Sequence, residues 1–225
     1  MTWKEYFGDW FKVIDPSELN LVVNALEEKY KTTFICPSKD NIFRAFKVCP
    51  YNSLKIVFVG MDPYAQKDRA TGILFGNSDR FIDNISPSLQ IIKNSAINFE
   101  VPHKPIIFDH SLESWAKQGV LMLNSALTVE LNKTGSHTML WRPFISKLLY
   151  NLSRKEFGVI YVLFGETAQT FEPYIDKHNY IIKEKHPAWY YRSNLNMPSK
   201  LFRDIDDLCF KQNKCKIKWY EEQES

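Results

Sequence analysis

The sequence predicts an α/β protein, a three-layer α/β/α sandwich with a central sheet of four parallel strands. Two observations predict this architecture. Apolar runs of strand length alternate along the chain with longer segments of helical periodicity. The runs are apolar at nearly every position, as in parallel strands that are covered on both faces. The predicted strands span residues 55–59, 120–123, 159–164 and 180–183.

The segments between and after these strands have the periodicity of amphipathic helices. Before the first strand, Asp15 and Pro16 are typical of a helix cap and first turn, and they precede a helix over 18–30. A second short helix is predicted over 41–46. The remaining predicted helices span residues 88–97, 112–117, 143–152, 167–174 and 199–211.

Size and composition favour one domain over residues 1–225. The chain has 225 residues, of which 44% are hydrophobic and 15% aromatic. This is enough to bury one sizeable core, and the composition is that of a globular protein and not of a disordered one. The sequence shows no internal repeat and no low-complexity segment at which a second domain would begin.

Charge, cysteine usage and hydropathy indicate the type of binding partner, the state of the thiols and the cellular location. The formal net charge of +3 is more typical of ordinary solubility than of nucleic-acid binding, although a near-neutral total can contain a local basic groove. The cysteines have no CxxC or metal-ligand spacing, which favours reduced thiols in a reducing compartment and no bound metal. No signal peptide or membrane span is recognisable, so we expect a cytoplasmic protein. The cysteines are Cys36, Cys49, Cys209 and Cys215.

Polar residues follow each of the four predicted strands. Asp62 follows the first strand, Asn124 the second, Glu166 the third and His186 the fourth. The carboxyl ends of parallel strands meet at one edge of a sheet, which is where open α/β proteins bind ligands. The sequence therefore predicts that these side chains converge on one site.

Several of these residues also have a structural interpretation. Asp62 precedes Pro63, and its role could be no more than to cap a turn. Gly60 suggests close approach of a backbone or ligand. Phe75, taken singly, is better explained as core, although its flanking glycines favour a ring that lines a pocket. Asn124 could cap a following helix or pair in two directions with a base edge.

Two loops complete the set of candidates. Ser136 lies in a polar loop that suits phosphate contact, but many surface loops have a similar composition. The segment that follows His186 contains three aromatic residues and Arg192, which makes a poor core segment. Aromatic rings beside an arginine suit base stacking and contact with a nucleic-acid backbone. For this loop we favour a functional interpretation.

Taken together, these pieces resemble family 1 uracil-DNA glycosylases. The resemblance covers nearly the whole chain, from the aspartate motif at 59–67 to Ile217, Lys218 and Trp219 near the C-terminus. Residues 112–129 are very close to the family pattern, and Phe75 follows Asp62 at the family's spacing. Each motif is weak alone, but their order and spacing make the resemblance specific.

The resemblance implies a monofunctional glycosylase that hydrolyses the N-glycosidic bond of uracil in DNA, without a cofactor. Asp62 matches the aspartate that positions water and stabilises the sugar cation, and His186 the histidine that hydrogen-bonds uracil O2. Tyr64 matches the residue that excludes thymine's methyl group, Phe75 the stacking ring and Asn124 the amide that reads the base edge. Met61 stands at the uracil-binding motif. The implied DNA contacts are Ser88, Ser136, Ala188, Trp189, Tyr190, Tyr191 and Arg192.

The sequence departs from the family pattern in three places. Met61 and Ala65 replace the usual Gln and His around the aspartate. After His186, Ala188 replaces a phosphate-contacting serine and the intercalating leucine has no clear counterpart. We expect an aromatic wedge, for which register points to Tyr190, with Trp189 and Tyr191 as alternatives. The third departure is Thr71, where a histidine is frequent; we assign it no role.

The resemblance implies uracil-containing DNA as the partner, together with proteinaceous glycosylase inhibitors, no membrane and a monomeric state. Two other functions are compatible with parts of the pattern. One is a DNA-binding or processivity module with weak or no catalysis; the other is a glycosylase for a different modified base, for example in defence against phage DNA. A nucleotide-binding protein is disfavoured because the sequence has no glycine-rich phosphate loop.

Overall fold

Strands and helices alternate along the chain, in the order that the sequence predicts. The computed structural model describes residues 1–81, 83–100, 102–213 and 216–223. In this part of the chain the strands are β1 (Ile35–Cys36), β2 (Ile56–Gly60), β3 (Ile106–Ile107), β4 (Val120–Asn124), β5 (Val129–Glu130), β6 (Ile160–Phe164), β7 (Tyr180–Glu184) and β8 (Glu221–Glu222). The α-helices are α1 (Trp3–Phe7), α2 (Pro16–Tyr30), α3 (Arg44–Val48), α4 (Pro87–Asn98), α5 (Glu113–Lys117), α6 (Thr138–Lys155), α7 (Gly165–Gln169), α8 (Pro187–Arg192) and α9 (Lys200–Asn213).

The central sheet has the strand order β4-β2-β6-β7, and every pair in it is parallel. In β2, β4 and β6 every residue is buried. Because successive side chains of a strand point to opposite faces, burial of every residue means that both faces of these strands are covered. The outer strand β7 is only partly buried. The predicted α/β architecture and its parallel sheet are confirmed.

Helix α6 begins five residues earlier than predicted. A proline is favoured in the first turn of a helix, so the sequence places the start at Pro143, whereas the helix contains Pro143 in its interior. Trp141 explains the earlier start, because it is fully buried and its indole N–H donates to Thr128 Oγ1 over 2.7 Å. Tertiary packing of this side chain outweighs the local preference of proline.

Two further predictions about helices were wrong in detail. The helix predicted over 167–174 is divided into α7 and a 3-10 turn, Glu172–Tyr174, because Pro173 starts a new turn. The segment after His186, expected to be a loop, is the six-residue helix α8. His186 is its N-cap and Pro187 its first residue, a pairing typical of a helix start.

The C-terminal segment closes the core. The ring of Trp219 packs against Trp115, Phe202 and Phe58, with ring centroids 4.9, 4.8 and 6.3 Å away. The indole of Trp115 donates to the Trp219 carbonyl, and the indole of Trp219 donates to Asp206 Oδ1. The Trp219 segment, noted in the sequence as part of the resemblance, therefore has a packing role.

Cysteine placement agrees with the expectation of reduced thiols as far as the structure describes it. Cys36 and Cys49 are buried and form no disulfide, and Cys209 is buried as well. Cys215 lies outside the described residues.

None of the helices in the described residues has both the length and the apolar character needed to cross a membrane.

Candidate active site

A cavity of about 1080 Å³ opens at the carboxyl edge of the central sheet. Each of the four strands of the central sheet contributes to the wall of the cavity through residues at or just after its carboxyl end, as the sequence predicts. Of the predicted site residues, only Ser136 and Tyr190 do not line it. The predicted residues that do are Met61, Asp62, Tyr64, Phe75, Ser88, Asn124, His186, Ala188, Trp189, Tyr191 and Arg192.

Asp62 lies just beyond the end of β2 and is held by a backbone donor. The N–H of Gly135, from the loop before α6, donates to Asp62 Oδ2 over 2.6 Å. Burial raises the pKa of Asp62 above its ordinary value, and the hydrogen bond from Gly135 opposes that shift. The site thus contains a partly dehydrated carboxylate whose orientation is set by main chain.

The turn that carries Asp62 is fastened to the neighbouring strand. The carbonyl oxygen of Met61 accepts hydrogen bonds from the Ser125 hydroxyl and the Ala126 N–H, at 2.8 and 2.9 Å. Gly60 is needed for a different close approach, since a Cβ atom there would lie 2.2 Å from Leu74 Cδ1. The close approach that the structure shows at Gly60 is therefore that of the Leu74 side chain.

Tyr64 forms a rigid wall of the cavity. Its hydroxyl donates to the Phe75 carbonyl over 2.8 Å, so the Ser86 hydroxyl, 2.5 Å away, is the donor in their mutual contact. Ser86 Oγ also accepts the N–H of Leu89 and so caps α4. The phenol ring is thereby tied to both the Phe75 segment and the start of α4.

Phe75 is held in place by its backbone and by two rings. Its φ of 62° is in the left-handed region, which is unusual for a residue other than glycine. The ring is 5% exposed and makes edge-to-face contacts with Phe164 and His186, with centroids 5.3 and 5.6 Å apart. Phe75 is thus part of both the core and the cavity wall, so the two interpretations of the sequence are both correct.

Asn124 ends β4 with an unpaired amide oxygen. The residue is 4% exposed, and its Oδ1 has no hydrogen-bond partner among the described residues. No α-helix follows directly, since the chain continues into β5, so the alternative of a helix cap is wrong. A buried carbonyl without a partner costs about 1–3 kcal/mol, and a ligand donor in the cavity would remove that cost.

His186 is neutral, with a defined tautomer. Its Nδ1 accepts the N–H of Ala188 over 3.2 Å, so the ring proton is on Nε2. Burial, with a smaller contribution from the charge of Arg192, lowers the pKa of His186 to about 4. At neutral pH the ring can donate one hydrogen bond from Nε2 without carrying charge.

Helix α8 presents its aromatic residues in different environments. Tyr191 is 56% exposed, whereas Tyr190 is 8% exposed and donates to Glu184 Oε1 over 2.6 Å. Trp189 is half-buried and lies under the Lys185 ammonium, 3.5 Å from the ring centroid. The register that points to Tyr190 as the wedge is therefore not supported, because helical geometry turns this ring into the core.

Ser136 is exposed but lies outside the cavity wall. Its hydroxyl accepts the backbone N–H of Glu130 over 2.9 Å and so stabilises the loop before α6. The neighbouring Gly135, which sequence reasoning did not single out, provides the contact to Asp62. Its φ of +80° is a signal of a special backbone position, but such a φ is not readable from sequence.

The comparisons with known proteins agree on one family. The profile of the uracil DNA glycosylase superfamily matches residues 46–208. A curated uracil-DNA glycosylase from Campylobacter jejuni is 34% identical over 222 residues, covering 96% of this chain and 92% of that protein. Another, from Mycoplasmopsis pulmonis, is 32% identical over 197 residues, covering 86% of each.

Solved structures of the same name share the fold. The crystal structure of mimivirus uracil-DNA glycosylase has a TM-score of 0.73 and 25% identity, and covers 97% of this chain and 93% of that one. A variant of the mimivirus protein in complex with UGI gives a TM-score of 0.74 at 25% identity, with 96% and 94% coverage. The crystal structure of wild-type UNG from Nitratifractor salsuginis has a TM-score of 0.61 at 19% identity. The match covers 92% of this chain and 98% of that one, and it shows the same fold.

Proposed function

The chain belongs to the uracil DNA glycosylase superfamily, and we propose that the cavity described above is where it removes uracil from DNA. The protein is a DNA glycosylase, a hydrolase of N-glycosyl bonds that acts in base excision repair. The roles of individual residues in this chain are proposals, and they rest on the chemistry of the reaction and the geometry of the site.

The reaction separates charge between the sugar and the departing base, and the cavity contains one group that can stabilise each of these charges. Cleavage of the glycosidic bond leaves positive charge on the sugar and negative charge on the departing uracil. We assign the buried carboxylate of Asp62 to the sugar end, where it stabilises the cation and orients the attacking water. The neutral His186 ring donates from Nε2 to uracil O2, where negative charge develops.

Selection of uracil is assigned to Tyr64, Asn124 and Phe75. Uracil presents an N3–H donor and an O4 acceptor, which match the amide of Asn124. Tyr64 is fixed by its bonds to Phe75 and Ser86, so a methyl group at C5 of the base would meet an unyielding ring. Phe75 supplies a stacking surface for the base.

The observation that carries this proposal is the unpaired Oδ1 of Asn124, 4% exposed, at the wall of a cavity that also holds Asp62 and His186. A structural asparagine would have its oxygen satisfied by the protein. The N3–H of uracil supplies the missing donor, whereas cytosine presents an acceptor at N3 and would leave two acceptors facing each other.

DNA enters as a flipped nucleotide, since the target bond is unreachable inside a stacked duplex. We propose that Ser88, Trp189, Tyr191 and Arg192 contact the strand around that nucleotide, because all four line the same cavity. We further propose that UGI-type inhibitors bind this protein, because a variant of the mimivirus relative forms a complex with UGI. The chain is proposed to act as a monomer, with residues 1–225 forming one domain.

The test is excision from a labelled oligonucleotide with a single uracil, followed by alkaline cleavage of abasic sites. Matched oligonucleotides with thymine or cytosine serve as substrates that should remain intact. Asp62→Asn should lose activity by about 10²- to 10³-fold and retain DNA binding. Release of cytosine as fast as uracil, or equal loss of binding and turnover in Asp62→Asn, would contradict the assigned roles.

A further inference from the structure

Arg69 is a buried cation that has no counter-charge among the residues the structure describes. It is 7% exposed, and its Nε is enclosed without a hydrogen-bond partner. Within the described residues, its guanidinium makes no hydrogen bond and no ion pair at all. The guanidinium lies over the Phe81 ring, whose centroid is 4.3 Å from the guanidinium carbon. Neither the motif analysis nor the family resemblance points to this residue.

An unpaired buried guanidinium requires an explanation. Arginine is almost never buried without a partner, because removing its charge from water is costly. By contrast, two more exposed arginines do have carboxylate partners: Arg44 pairs with Glu113, and Arg80 pairs with Asp68 at 2.8 Å. The carboxylates of the cavity do not neutralise Arg69, since in the described part of the chain neither Asp62 nor Glu166 is within ion-pair distance of it.

Arg69 lines the same cavity as the catalytic groups and the start of α4. Its charge lies close enough to Tyr64 to lower the pKa of that phenol, against the larger upward effect of burial. Tyr64 in turn is hydrogen-bonded to Ser86, the N-cap of α4. The N-terminus of this twelve-residue helix adds positive potential to the cavity, and the buried Ser88, 7% exposed, adds a hydroxyl.

We propose that Arg69 binds a backbone phosphate of the DNA strand beside the flipped nucleotide. This inference rests on the proposed function, because it takes DNA as the ligand of the cavity. A guanidinium presents paired N–H donors that match phosphate oxygens, and its stacking on Phe81 fixes the direction of that fork. The phosphate supplies a counter-charge that the described part of the chain does not offer, and Arg69 acts as a positioning residue.

The experiment compares Arg69→Gln with Arg80→Gln, which removes a cation of the same kind from an exposed, ion-paired position outside this cavity. Binding is measured on a duplex carrying a stable abasic-site analogue, over a series of salt concentrations. Arg69→Gln should weaken binding by about 10- to 100-fold. It should also reduce the slope of log K against log salt by about 0.9, the value for one phosphate contact. Arg80→Gln should leave both values as in the wild type.

Three outcomes would overturn the inference. One is an unchanged salt slope with a lower melting temperature in Arg69→Gln, which would make the residue structural. Another is normal binding with slower single-turnover excision, which would place Arg69 at the departing base. A third is an Arg69→Lys variant whose slope of log K against log salt falls as far as that of Arg69→Gln, since lysine keeps the positive charge and should keep the phosphate contact.

Because the duplex is not a substrate, the binding result is independent of catalysis. If the wild type failed to excise uracil and Arg69 still set the salt slope, the proposed function would fail and the phosphate site would stand.

Discussion

Burial acts in opposite directions on the two ionisable groups of the site. It raises the pKa of the acid Asp62 and lowers the pKa of the base His186, because in each case the charged form is the one that loses hydration. The reaction as proposed needs Asp62 charged and His186 neutral. The enclosure of the cavity therefore favours the required state of His186 and opposes that of Asp62.

This opposition sets the expected pH dependence. Activity should fall in acid as Asp62 is protonated, and the midpoint should lie above the ordinary aspartate value of 3.8, since burial moves its pKa upward. His186, with a pKa of about 4, is neutral at neutral pH and becomes charged only in acid. The measurement is kcat/KM against pH, which reports the free enzyme. His186→Asn serves as control, and disappearance of the acid limb in that variant would assign the limb to His186.

The rigidity of Tyr64 predicts its effect on specificity. Tyr64→Ala should allow thymine to enter and be released from DNA at a detectable rate, while uracil excision becomes slower. Tyr64→Phe is the matched control, because it keeps the ring and removes only the bonds to Phe75 and Ser86. That variant should not release thymine and should lose about 1 kcal/mol of stability. Absence of thymine release in Tyr64→Ala would count against the steric account.

At the scale of elements, α8 gives its side chains fixed and unequal exposures. We predict that Tyr191→Ala slows excision from duplex DNA more than from single-stranded DNA, because a wedge is needed only where a base must leave a stack. Tyr191 is chosen because it is the more exposed tyrosine of the helix. The measurement is the ratio of single-turnover rates on the two substrates.

Tyr190→Phe is the control for this prediction. It removes the hydrogen bond to Glu184 in the core and should reduce stability by about 1 kcal/mol, without changing the ratio of rates. A change in that ratio in Tyr190→Phe and none in Tyr191→Ala would return the wedge to Tyr190, as the sequence register suggested.

Elements that depend on a simple local pattern were predictable from sequence. The central strands were placed within about a residue at either end, because continuous apolar runs and buried parallel strands correspond closely. Helix α8 was missed because six residues are too few to show helical periodicity. The start of α6 was missed because the burial of Trp141, and not its local sequence, decides it.

The candidate site likewise contains some features that could be predicted from sequence and others that could not. The convergence of residues at the strand ends followed from topology, since all parallel strands end at one edge. The bond from Gly135 to Asp62 joins residues 73 positions apart, and no local pattern reports it. The unpaired charge of Arg69 is equally hidden, because it depends on which neighbours are absent in three dimensions.

At the scale of the whole molecule, both ends of the chain pack into the core outside the matched region 46–208. The N-terminal helices α1 and α2 contribute Phe7 and Leu19, and the C-terminal segment contributes Trp219. This arrangement supports the proposal of one domain, because neither end has a core of its own.

Trp219 allows a test of that proposal. Trp219→Ala should lower the free energy of unfolding by about 3–5 kcal/mol, because it leaves a large cavity among Trp115, Phe202 and Phe58. Denaturant unfolding measures the change. The exposed neighbour Lys218→Ala should stay within about 0.5 kcal/mol of wild type. A second transition in the Trp219→Ala curve would indicate that the C-terminal segment unfolds separately from the rest.

The anchor of the catalytic carboxylate has a consequence for how the site tolerates sequence change. Because Asp62 is bound by the main-chain N–H of Gly135, evolution has no partner side chain among the described residues to exchange in concert with it. The pair would leave no covarying signature in a set of related sequences. The loop is instead constrained through its shape, since any side chain at position 135 would have to adopt a φ of +80°. A saturation scan would therefore show intolerance at a residue that has no functional group at all.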